Sequence, residues 1–155
     1  MNRRAFLIRS STVAAACAAC AACPHLADAA STTRPVLDLG ALSDLPAGSV
    51  IDRWAADEGF FLVRREGKLI ALSADCTHKR VRLTLKGSKL KCPKHGSVFE
   101  PTGELSKGPA KRPLVRYGIS TDDRGHVIVD RSRAFAKERW DDADASLALP
   151  EAKTR

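Results

Sequence analysis

Aromatic side chains are scarce in this chain of 155 residues: five Phe, two Trp and one Tyr. Its one Met is the initiator. Five cysteines look abundant, but Cys17, Cys20 and Cys23 fall in the first 29 residues and only Cys76 and Cys92 follow. Histidine is as thin, with His78, His95 and His126 beyond His25. His78 and His95 stand beside the two later cysteines, so His126 alone is left over, within a strand pattern. Hydrolytic chemistry therefore lacks the residues it needs, and no catalytic residue is assigned. The main apolar run, Val13 to Ala22, stops at Pro24-His25. A bilayer takes roughly 20 apolar residues, so no membrane span is expected in the mature chain. No helix-period stretch appears between this leader and residue 131.

What is present divides into three. Residues 1–29 read as a twin-arginine signal peptide: Arg3-Arg4-Ala5-Phe6-Leu7, then the apolar run, then Ala27-Asp28-Ala29 at a peptidase site. Residues 30–131 carry short strand-forming runs between turns. Gly59 to Arg64 and Leu69 to Ser73 pair across Glu66-Gly67 as a hairpin that leads to Cys76. Leu114 to Ser120 and Gly125 to Val129 form a last hairpin. Short strands at this spacing mean an all-β domain of small antiparallel sheets. Residues 132–155 form a C-terminal extension, either a short helix capped by Ser132 and bearing Phe135 and Trp140, or a packed tail.

The net charge is +8. Residues 79–112 hold ten basic residues against Glu100 and Glu104, so this stretch alone matches the net charge of the chain. The excess flanks Cys76-Thr77-His78 and Cys92-Pro93-Lys94-His95-Gly96-Ser97, two Cys–His pairs separated by thirteen residues. Two thiolates and two imidazoles suit zinc or an iron–sulfur cluster.

The unequal gaps within the pairs resemble the Rieske family, where two cysteines hold one iron of a 2Fe–2S cluster and two histidines hold the other. The resemblance covers roughly residues 35–130. It implies a Rieske fold with a cluster-binding subdomain, and Cys76, His78, Cys92 and His95 as metal ligands. Ser97 is implied as a hydrogen-bond donor to a cluster sulfur. The segment from Lys107 to Pro113 matches the proline-containing loop that covers the cluster in that family, whose Gly and Pro fix backbone without bulk.

Two departures matter. High-potential members resemble CTHLGC and CPCHGS, with a disulfide between the two loops. Val81 and Lys94 stand at those cysteine positions here, and Phe99 stands where such members place a Tyr. A low-to-middle reduction potential is expected, below about +150 mV on a range of roughly −150 to +300 mV. Lys79-Arg80 follows His78, and burying two charges in an apolar quinol pocket would be costly.

The expectation is an exported, periplasmic Rieske 2Fe–2S one-electron carrier. Its partner would be an acidic redox protein or oxidoreductase subunit, not nucleic acid. The twin-arginine route exports folded proteins, which suits a cofactor inserted before export. Two alternatives remain: a Rieske subunit of a membrane quinol–cytochrome complex, and a zinc-binding, non-redox binding protein.

Overall fold

A computed structural model describes residues 35–150 of the chain. The twin-arginine signal peptide expected over residues 1–29 lies outside them, as do residues 151–155. Eleven strands and three short 3-10 turns account for the described residues' regular structure. No helix among them is long and apolar enough to cross a membrane.

Phe60 to Val63 and Leu69 to Leu72 are continuously apolar rather than alternating, and they lie in strands β3 (Phe60–Arg65) and β4 (Lys68–Ser73). Glu66 and Gly67 join them with φ of 52° and 68°, the paired positive φ of a tight hairpin whose twist matches its strands. A strand buried on one face alternates; one buried on both does not. Here Phe60, Leu62, Leu69 and Ala71 enter one core. Phe61, Val63, Ile70 and Leu72 enter another, shared with Cys76 and Cys92. The hairpin is thus the wall between the two cores.

On the first side lies a sheet ordered β1 (Val36–Ala41), β10 (His126–Phe135), β9 (Arg116–Thr121), β4, β3, β2 (Val50–Ile51). Trp54 stacks on Phe60, with centroids 5.8 Å apart. On the second side lies a four-stranded sheet of β5 (Thr84–Lys86), β6 (Lys89–Lys91), β7 (Val98–Phe99) and β8 (Leu105–Lys107). The chain leaves the first sheet at Ser73 and returns at Val115. These two residues are hydrogen-bonded, Ser73 N donating to Val115 O at 3.0 Å. Residues 74–115 are therefore an insertion between neighbouring strands.

Of the two forms expected after residue 131, the described residues take the tail. β10 continues to Phe135, and β11 (Leu147–Ala148) pairs with β4 beside Leu69 and Lys68. Ser132 cannot cap a helix, because its N–H and hydroxyl both donate to the Asp130 carboxylate. A register shift between Asp130 and Ala134 carries β10 past this turn. Trp140 then packs against Gly103, where an added Cβ would lie 3.3 Å from its ring and 2.8 Å from Leu72. The Arg116 guanidinium lies 4.2 Å above that ring.

Candidate metal centre

The inserted segment presents two six-residue turns of one design. In the first, Arg80 N donates to Cys76 O at 2.8 Å and Cys76 N to Val81 O at 2.9 Å. In the second, Gly96 N donates to Cys92 O at 3.0 Å and Cys92 N to Ser97 O at 2.8 Å. The fifth residue of each is left-handed, with φ of 50° at Arg80 and 73° at Gly96. Glycine adopts that conformation freely, whereas an L side chain costs roughly 1–2 kcal/mol. Arg80 therefore holds a strained position that its counterpart fills with glycine.

Strands set the turns in place. Asp75 and Arg82 bracket the first as a bridge and as an ion pair at 2.8 Å. The second links β6 to β7, whose Leu90 and Phe99 are paired and fully buried. Histidine is third in the first turn and fourth in the second. The two rings nonetheless meet, with centroids 4.8 Å apart and planes at 73°. Both thiols are free and buried, and both imidazoles are exposed.

The electrostatics follow from that placement. Burial opposes ionisation of Cys92. The backbone N–H groups of His95 and Lys94, the Cys76 thiol and the Lys94 charge together outweigh it, so the Cys92 thiol sits below its ordinary value. His95 is also lowered, by desolvation first and then by His78, Lys94 and Lys79. A readily ionised thiol and a neutral imidazole are the forms that bind metal.

The four donors do not converge as one ion requires. Tetrahedral zinc, with bonds of about 2.0–2.3 Å, holds its ligand atoms within about 3.8 Å of one another. Among the described residues, the one set of three or more such donors within 4.8 Å of one another is Asp38, Asp122 and His126. The Arg124 guanidinium already bridges those two carboxylates, at 2.9 and 2.8 Å. His126, left over in the sequence, joins β10 to β1 there through Asp38 at 3.1 Å. Cys76 and Cys92, by contrast, are two buried thiols, and the imidazoles form a separate, exposed pair. This donor set fits a two-iron unit better than a single ion.

The segment Lys107 to Pro113 is fastened to both turns. Thr77 Oγ1 donates to Arg112 O at 2.7 Å, and Ala110 N donates to the buried Ser97 Oγ at 3.0 Å. The Ser97 hydroxyl accepts this bond, so its own proton stays available for a further acceptor. Thr77 was not expected to matter. Its position between Cys76 and His78 was the only sequence signal, and the distant carbonyl it reaches is visible only in the fold.

Residues 36–118 match the family described as the Rieske [2Fe-2S] domain. The chain is similar to a cytochrome b6-f complex iron-sulfur subunit of Chlorobaculum tepidum, at 32% identity over 60% of this chain and 52% of that one. It is also similar to the ferredoxin component of a naphthalene 1,2-dioxygenase system of Pseudomonas aeruginosa, at 27% over 64% of this chain and 99% of that one. The chain spans about half the length of the cytochrome-complex relatives it matches. Among solved structures, the plasma membrane Rieske protein of Synechocystis aligns with 61% of this chain and 98% of that one, at 27% identity and a TM-score of 0.47.

Proposed function

The chain belongs to the Rieske [2Fe-2S] domain family, and from that premise we propose that it is an exported one-electron carrier serving an acidic redox partner. The family binds a 2Fe–2S cluster, which supplies reversible one-electron transfer when bound. Cys76 and Cys92 would hold one iron and His78 and His95 the other. The observation that carries this reading is the division of donors: a buried thiol pair, an exposed imidazole pair, and a proline loop hydrogen-bonded to both turns.

Each group then has a task. The buried thiols keep solvent from the sulfur side. The neutral imidazoles form the edge that a partner approaches. The Ser97 proton is free to donate to a cluster sulfur, and such second-shell bonds tune a metal centre. Lys79 and Lys94 lie near the His95 ring and stand exposed with Arg80. A cationic rim steers an anionic surface towards that edge.

The names of the cytochrome b6-f relatives favour a second reading, a subunit of a membrane quinol–cytochrome complex. Lys79-Arg80 weighs against it, since both charges stand exposed directly after His78 and would need partners in an apolar quinol pocket. The Arg3-Arg4 leader supports export to the periplasm in the folded state, with signal peptide 1–29, Rieske domain 30–131 and extension 132–155. Phe99 is fully buried and has no hydroxyl to donate, which supports a low-to-middle potential.

The test is anaerobic purification of the protein from a twin-arginine-competent host, with fractionation. Iron and acid-labile sulfide in equal amounts, a visible spectrum, and an EPR signal on reduction are expected from the periplasmic fraction. A colourless protein, or zinc in place of iron, would overturn the reading.

A further inference from the structure

Beside the first ligand turn the surface folds into a cavity of about 410 Å³, bounded by residues from that turn, the proline loop, β9, β10 and the start of the tail. Small-molecule sites run from about 300 to 1,000 Å³ and combine apolar walls with a few polar groups. Pro113, Val115, Ala134 and Ala136 supply the apolar wall. Tyr117 also lines the cavity, its hydroxyl donating to Ser73 Oγ at 3.3 Å.

The charges there are unevenly matched. Of the lining residues, Asp75 is paired with Arg82 at 2.8 Å, and Lys137 with Glu104 at 2.9 Å. That leaves Arg80, Arg112 and Glu138. Neither guanidinium has an ion pair or hydrogen bond among the described residues. Two free guanidiniums thus face one free carboxylate. Arg80 also stands in the left-handed position that the second turn gives to Gly96. Strain of this kind clusters at functional sites.

We infer that this cavity binds a small organic carboxylate, its head between Arg80 and Arg112 and its apolar body on the Pro113–Val115 wall. Arg supplies the planar fork that suits a carboxylate. Thr77 lines the same cavity and lies between Cys76 and His78, so the occupant sits next to the metal centre. This part rests on the carrier reading: an anion there disfavours adding an electron, so occupancy lowers the potential. Reduction then weakens binding by the same factor. A tenfold preference for the oxidised form corresponds to a fall of about 59 mV.

The experiment titrates the purified, cluster-loaded protein with benzoate by calorimetry at low salt, with benzamide as the neutral analogue. Saturable benzoate binding is expected, at least tenfold tighter than benzamide, and at least tenfold weaker in Arg112→Gln and Arg80→Gly. Arg80→Gly relieves the left-handed backbone, so its loss of binding would not reflect misfolding. Lys86→Gln, at the β5–β6 turn away from the lining residues, should bind as the wild type does. A redox titration should show benzoate lowering the wild-type midpoint and leaving that of Arg80→Gly in place. Equal binding of benzoate and benzamide, or equal weakening by Lys86→Gln, would overturn the assignment. A coloured protein that does not bind benzoate sinks this site and spares the carrier. A folded, colourless protein that binds it does the reverse.

Discussion

Ser97 shows how much one hydroxyl carries. It is fully buried, and its oxygen accepts the Ala110 N–H at 3.0 Å. Ser97→Ala would strand that buried N–H, which costs about 1–3 kcal/mol, and would remove the proposed proton donor to the cluster. Denaturant unfolding of the loaded variant should show a loss of that size, and its redox titration a lower midpoint. An unchanged midpoint would remove Ser97 from the tuning groups. The sequence exposed this residue through its place two after His95. It could not expose Ala110, because nothing local ties residue 97 to residue 110.

Among the elements, the two ligand turns depend on the proline loop as well as on their own strands. Thr77→Val keeps the shape of the side chain and deletes the bond to Arg112 O. A hydrogen bond of this kind is worth about 0.5–1.5 kcal/mol, enough to loosen the first turn without unfolding the sheets. Its visible spectrum should bleach faster than wild type in air or chelator, while its far-UV circular dichroism stays the same. The tail offers a second case. Gly103 has φ of 95°, and a Cβ there would meet Leu72 at 2.8 Å and Trp140 at 3.3 Å. Overpacking of this sort costs about 1–3 kcal/mol before the strain of the positive φ is added. Gly103→Ala should therefore lower the unfolding midpoint and perturb Trp140 fluorescence. The β3–β4 hairpin was legible from its strand formers and Glu66-Gly67. The tail was legible as one of two forms, a short helix or a packed tail, and what decided between them, the Asp130 carboxylate engaging Ser132, is visible only in the fold.

Over the whole molecule, charge would govern encounter on the proposed reading and governs acid tolerance in the fold. At about 0.01 M ionic strength the screening length is about 30 Å, and at about 0.15 M it is about 8 Å. Electron exchange with an acidic partner should slow about tenfold or more across that range, and stopped-flow mixing reads it directly. A rate indifferent to salt would exclude the cationic rim from docking. Asp38 lies below its ordinary 3.8, held there by the His126 ring and then by the Gly40 N–H. Asp122 is lowered by the His126 backbone N–H and the Arg124 side chain, against burial. Because their folded values lie below the unfolded ones, both stabilise the fold above about pH 4 and lose that contribution as pH falls through the folded values. Asp38→Asn should flatten the acid limb of the stability curve, as measured by thermal unfolding from pH 6 to about pH 3.

From the chain alone, the class of structure and the proposed donors could be read. Cysteine and histidine are so few that Cys76, His78, Cys92 and His95 stood out as candidates, and closely spaced turn residues pointed to strands rather than helices. The tertiary structure alone decided what those donors do together. It separated them into a buried pair and an exposed pair, bolted the proline loop to both turns, and opened a cavity behind Arg80. Each of these rests on contacts between residues far apart in the chain, such as Ser73 with Val115 and Thr77 with Arg112. Local periodicity reports which face of a strand is apolar, but not which distant segment will cover it.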